Sequence, residues 1–162
     1  MNRTKLWERK ENRKKILLEI INYLGDLEDE NQLANILYIA QTKKYIEHLY
    51  DFRIENVYLP YSKDLHNDIL ELVEEGYLKK SSLILVKKEN SYRTQNNNIK
   101  IKPEIRKIKK ISPEDLSNLA QLTYLYVQKR IPKRELLRIS PTVAMRGISK
   151  TRSLLKKLDT LR

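Results

Sequence analysis

The stretch Asp51-Phe-Arg-Ile-Glu-Asn-Val-Tyr-Leu-Pro-Tyr-Ser-Lys-Asp-Leu-His-Asn-Asp-Ile-Leu-Glu-Leu-Val-Glu-Glu-Gly-Tyr-Leu78 decides how the chain is read. A short extended run, Ile54 to Leu59, meets Pro60, which lacks an N–H and biases the residue before it toward extended backbone. Ser62 then offers a side-chain oxygen to open a helix, and Leu65, Ile69, Leu72 and Val73 recur at helical spacing on one face. Gly76 closes that helix, because a residue without Cβ enters the left-handed region at no steric cost. Tyr77-Leu78 restarts the chain as a strand. On the opposite side of the helix Asp64, Asp68, Glu71 and Glu75 form a lengthwise stripe, which turns Ile69 and Leu72 inward.

Upstream, residues 4–24 read as a helix. Its first half, with Lys5, Arg9, Lys10, Arg13, Lys14 and Lys15, is too polar for a core, whereas Ile16, Leu17, Ile20, Ile21 and Leu24 pack inward. Trp7 is expected to staple this helix to a neighbour, with a partner-facing aromatic as the alternative. A second helix starts near Asn31, buries Leu33, Ile36, Leu37 and Ala40, and runs on toward Tyr50. Downstream, Ser82–Lys88 reads as a strand, Glu89–Asn98 as a polar tip, and Ile99–Lys102 as a return strand of period two stopped by Pro103. Residues 54–59 and 78–102 would together form a small antiparallel sheet. Its hairpin is a wing whose polar face carries Lys87, Lys88, Arg93, Lys100 and Lys102.

Lys107–Lys110 reads as a basic connector. Ser112-Pro113-Glu114-Asp115 then supplies a capping hydroxyl, a first-turn proline and two carboxylates, and Leu116, Leu119, Ala120, Thr123 and Val127 form the stripe of the helix that follows. Ile131-Pro132 breaks it, residues 133–139 make a short helix, and Ser140-Pro141 opens a longer one toward Leu161. The expected fold is mainly α (α+β). It is a winged helix-turn-helix over residues 1–110 with a small antiparallel β-wing, followed by a basic helical C-terminal extension over residues 111–162.

The run Ile36-Leu37-Tyr38-Ile39-Ala40-Gln41, followed by Tyr50-Asp51-Phe52, Pro60-Tyr61-Ser62, Leu65, Asp68, Leu72 and Gly76-Tyr77-Leu78, resembles the Panacea family. That family's pattern is an apolar helix, an aromatic pair, a Gly-Pro-Tyr-Ser turn and a helix ending in Gly. The resemblance covers residues 32–80 and departs at Leu59, where the family usually has Gly. It implies a winged-helix fold and, because the family includes antitoxins of toxin–antitoxin pairs, a protein-binding role.

The 162 residues carry a net charge of +12, unevenly spread. Residues 1–25 hold seven Lys or Arg against three Asp or Glu, and residues 26–76 hold four against twelve. Residues 77–111 hold eleven against two, and residues 112–162 eleven against four. Asymmetry of this size reports on partners more than on fold. The abundance of Lys, Glu, Ile and Tyr beside only three glycines is archaeal-like and suits a thermophile. With no cysteine there is neither a disulfide framework nor a thiolate metal site. No apolar run is long enough for a membrane span and the start is too charged for a signal peptide, so a cytoplasmic location is expected.

Nothing in the pattern points to catalysis. His48 and His66 sit in different segments, and no phosphate loop or nucleophile elbow is present, so a non-enzymatic protein without cofactor or metal is expected. Residues 62–75, the helix that would normally enter the major groove, carry one Lys against five acids and would be repelled by phosphate. The basic wing and the C-terminal helices are the better candidates for duplex DNA. In the latter, Thr142, Arg146, Ser149, Lys150, Ser153, Lys156 and Lys157 face outward while Ala144, Ile148, Leu155 and Leu158 pack inward, and Arg134, Arg138 and Arg152 join the candidate DNA contacts. The leading reading is a DNA-binding transcriptional regulator, with a homodimer as an option. The alternative is an antitoxin-like module that docks a toxin-like protein through Asp64, Asp68, Glu71 and Glu75. In a bland variant the basic tail merely covers that acidic face.

Overall fold

The computed structural model describes residues 3–54, 60–79 and 100–161. Lys87, Lys88 and Arg93, and with them most of the expected wing, lie outside the described residues. The architecture is mainly helical, with a small two-stranded antiparallel sheet. In order come α1 (Arg3–Leu24), α2 (Glu30–Thr42), β1 (Arg53–Ile54), β2 (Pro60–Tyr61), α3 (Lys63–Glu74), α4 (Glu104–Lys109), α5 (Pro113–Leu122), a π-helical turn (Thr123–Gln128), α6 (Lys133–Ile139) and α7 (Pro141–Thr160).

Local chemistry sets most boundaries. Asp29 caps α2 by accepting from the Gln32 N–H at 2.8 Å, and Ser62 caps α3 by accepting from the Leu65 N–H at 3.3 Å. Ser112 and Ser140 do the same for α5 and α7, each followed by proline at the first helical position. Gly76, at φ 82°, ends α3 as expected.

At the centre lies α2. Its residues Gln32–Ala40 are all buried, because α4, α5, β2 and the π-helical turn surround it. One apolar cluster runs from Ile16, Leu17, Ile20 and Ile21 of α1 through α2 to Leu65, Ile69 and Leu72 of α3. It continues into Leu116 and Leu119 of α5 and Leu154, Leu155 and Leu158 of α7, so residues from both sides of Lys110 share it.

Several expectations are corrected. The ribbon pairs Arg53 with Tyr61 and Ile54 with Pro60, so Pro60 lies within the strand rather than beyond it. Both strands of a two-stranded ribbon are edges, where proline is tolerated. Lys100–Lys102 is not a strand; the Lys102 N–H instead donates to the Tyr45 carbonyl at 2.9 Å. The supposed connector is α4, whose Ile105 and Ile108 are fully buried one helical turn apart. Helix α2 stops at Thr42 rather than nearing Tyr50, with Lys44 in the left-handed region. Beyond it the Gln41 side chain organises the loop, its Oε1 accepting from the Leu49 and Tyr50 N–H groups and its Nε2 donating to the Tyr50 carbonyl. Trp7, expected to pack against a neighbouring element, is 63% exposed among the described residues.

Candidate nucleic-acid interface

The acidic stripe of α3 is met by its own chain. Arg13 of α1 grips Asp68 with two hydrogen bonds, Nε at 2.6 Å and Nη2 at 2.9 Å, and reaches Asp64 at 3.7 Å. Asp68 has 0% exposure and also accepts from the Tyr50 hydroxyl at 2.8 Å. The Arg13 guanidinium lies 5.2 Å from the Tyr50 ring centroid, so one aromatic covers both partners of the pair. Lys14, 1% exposed, donates to Glu75 at 2.6 Å and to Glu71 and Glu11 at 3.1 Å each, while Lys10 also pairs with Glu71.

The electrostatics follow from this geometry. The hydrogen bond to Asp68 holds the Arg13 guanidinium above its ordinary pKa despite burial. Burial pushes the Tyr50 hydroxyl well up, and the neighbouring Asp68 charge adds to it. For Glu71 burial works upward, but the hydrogen bonds from Lys10 and Lys14 outweigh it and the carboxyl sits below its ordinary value. The polar first half of α1 thus contains a fully buried lysine, contrary to expectation. A basic segment does cover the acidic face, but it is α1 rather than the C-terminal tail. Of the stripe, Asp64 remains mostly exposed, at 63%.

Helices α6 and α7 form a hairpin joined by the single residue Ser140. Lys133 at the start of α6 pairs with Asp159 at the end of α7, which sets the two helices antiparallel. That pair was not foreseen; Asp159, the lone acid of the last turn, was its only signal. Its hydrogen bond raises the Lys133 pKa, and the ammonium also sits 5.5 Å from the Tyr126 ring centroid.

Within α7, Gly147 adopts φ 84° and ψ 167°, which interrupts the helix and resets its phase. The expected inward stripe is therefore broken. Ala144 and Ile148 are exposed, and Thr151 and Leu154 take the buried positions together with Leu155 and Leu158.

This geometry divides the nominated residues. Thr142 is fully buried; its N–H donates to Gln121 Oε1 at 3.0 Å and its hydroxyl donates to the same oxygen. Arg146 pairs with Glu114 and with Asp115 at 3.0 Å, and Lys150 reaches Asp115 at 3.0 Å. These three fasten α7 to α5, so their outward placement is corrected. Arg134 and Arg138, four residues apart on α6, are exposed and line a shallow cleft of about 460 Å³ with Pro132 and Glu135. Ser149, Arg152, Ser153, Lys156 and Lys157 are exposed along α7. Lys100 and Lys102 are exposed ahead of α4. None of these exposed cations has an ion-pair partner among the described residues.

A second cleft, about 360 Å³, is walled by Tyr38, Tyr50 and Phe52 and edged by Gln41, Thr42, His48, Asp51, Val127 and Gln128. Its polar groups bond one another: the Tyr38 hydroxyl donates to Gln128 at 2.6 Å, and His48 Nε2 lies 2.8 Å from Asp51. His66 faces Glu30 at 3.0 Å, away from His48. Among the described residues no group of three His, Asp or Glu could hold a metal ion, and no helix is long and apolar enough to cross a membrane. No family model matches the chain, and neither a curated protein nor a solved structure does.

Proposed function

We propose that the protein binds duplex DNA without catalysing a reaction, as a regulator of winged-helix type whose contacts come from α6 and the second half of α7. The order α2, β1–β2, α3 supports the winged-helix assignment of residues 30–78, as does the resemblance to the Panacea pattern over the same stretch. The observation that carries the functional reading is the contrast in pairing. Arg134, Arg138, Arg152, Lys156 and Lys157 stand exposed on one helical hairpin without ion-pair partners among the described residues, whereas the acids of α3 are largely engaged by α1. Duplex phosphate is bound through such unpaired cations, and small hydroxyls such as Ser149 and Ser153 between them suit backbone and base-edge contacts. The acidic-face alternative offers a partner less, because Asp68, Glu71 and Glu75 are already bonded to α1.

Titration of a random-sequence duplex at several salt concentrations tests this. Affinity should fall steeply with salt, and Ala at Arg134, Arg152 and Lys156 together should flatten the log–log slope by about one unit for each phosphate contact removed. Salt-insensitive binding, or none, in the parent protein overturns the reading.

A further inference from the structure

We infer that the turn and kink of the α6–α7 hairpin carry an apolar wedge that enters the base stack of bound duplex DNA and bends it. Three large apolar side chains stand in water within ten residues: Ile139 is 51% exposed, Met145 75% and Ile148 49%. Single exposed apolar residues are ordinary, but a group of them marks a contact surface. The backbone presents rather than buries them. Ser140 and Thr142 anchor one side of the turn to Gln121, and Arg146 is drawn to Asp115, so Met145 is left on the outer side. Gly147 then breaks the helix, and Ile148 directly beyond the break stands 49% exposed. Nothing lies within 4 Å of where a Cβ on Gly147 would sit, so packing does not call for glycine there; the positive φ does.

Charge selects the occupant. The exposed cations that flank the apolar group in sequence without an ion-pair partner among the described residues are Arg138, beside Ile139, and Arg152, one helical turn beyond Ile148, while Arg146 and Lys150 between them are held by Glu114 and Asp115. A second copy docking by two-fold symmetry would set this surface, with its two arginines, against itself. An anionic membrane calls for an apolar stripe along the helix, but here the apolar residues stop at the kink and cations follow. Duplex DNA supplies both what the arginines require, flanking phosphates, and what the wedge requires, stacked apolar faces. Side chains such as Met and Ile that insert between base steps partly unstack them and kink the duplex by roughly 20–90°.

This rests on the DNA-binding reading, and the experiment separates the two. A duplex labelled at both ends for energy transfer, with 2-aminopurine inside, is titrated with the parent, with Met145→Ala/Ile148→Ala and with Arg134→Ala/Arg152→Ala. The parent should shorten the end-to-end distance and raise 2-aminopurine fluorescence. The apolar double variant should lose both signals, with a far smaller change in affinity than the arginine variant shows. Both substituted side chains are exposed, so the fold is kept. Bending that persists in the apolar variant, or binding by the parent without bending, overturns the wedge while leaving the DNA reading intact. A parent that binds no duplex overturns both. Sedimentation showing a parent dimer that the apolar variant dissolves assigns the surface to a second copy instead and overturns the wedge.

Discussion

Along α1, Arg13 and Lys14 turn away from water into a seam of carboxylates; along α7, Arg152, Lys156 and Lys157 stand in water. Both stretches are basic and both are helical, yet the acidic face of α3 is covered by α1 and not by the C-terminal tail that the sequence suggested for it. What separates them is the register of apolar residues beside them. On α1 the inward face of Ile16, Leu17 and Ile20 extends backward through Arg13 and Lys14, which are thereby pressed against α3. On the second half of α7 the inward face is filled by Thr151, Leu154, Leu155 and Leu158, and Arg152, Lys156 and Lys157 fall on the remaining arc. The position of a cation relative to the core stripe, more than the local density of charge, decides whether it holds the fold together or is offered to a partner.

The comparison breaks most sharply at Arg13. Asp68 is fully buried, and removing the guanidinium leaves its carboxylate with the Tyr50 hydroxyl as its main remaining partner. Arg13→Ala should cost about 3–5 kcal/mol, the range for an orphaned buried charge, read from denaturant midpoints. Asp68→Ala should cost less, because Arg13 is partly exposed and can regain water. Equal midpoints for Arg13→Ala and the parent would mean that the seam contributes nothing to the fold.

A smaller effect sharpens the same contrast on the acid side. Glu71 titrates below its ordinary value when folded, so its contribution is present above the unfolded pKa of about 4.3 and is lost as pH falls through the folded value. Stability should therefore decline below about pH 4.3, and Glu71→Gln should flatten that limb. At neutral pH the substitution should cost no more than about 1 kcal/mol, because the pair is partly solvated. An unchanged acid limb in the variant would show that Lys10 and Lys14 do not act through this carboxylate.

Much of the helical framework is legible residue by residue. Ser62, Ser112-Pro113, Ile131-Pro132, Ser140-Pro141 and Gly76 are punctuation with a local mechanism, and α3, α5, α6 and α7 begin where these residues place them. Helix α4 is not legible, because two isoleucines among lysines over six residues give too short a period to stand out. The kink at Gly147 escapes for a related reason. One glycine inside a helical pattern is compatible with an unbroken helix, so the residue type alone does not announce the positive φ at Gly147. The burial of Lys14 is less legible still, since two of its acceptors, Glu71 and Glu75, lie 57 and 61 residues away. Of the proposed interface, the exposed Lys156 and Lys157 follow from helical spacing, whereas Thr142, Arg146 and Lys150 are drawn inward by Gln121, Glu114 and Asp115 of α5.

The smallest expected effect completes the comparison. Arg152 and Lys156 are exposed on α7 and have no ion-pair partner among the described residues, so their charged groups have nothing to lose when the chain unfolds. Replacing either with Ala should change stability by no more than about 0.5 kcal/mol, the usual span for surface positions away from caps and cores. Alanine is itself a strong helix former, which keeps even the backbone term small. Thermal melts of the two variants should therefore overlay the parent, while the same substitution at Arg13 shifts the transition far down. If Arg152→Ala or Lys156→Ala melts as early as Arg13→Ala, then α7 uses its cations as α1 does, to hold the fold. The surplus charge on α6 and α7 would then no longer be free to meet phosphate.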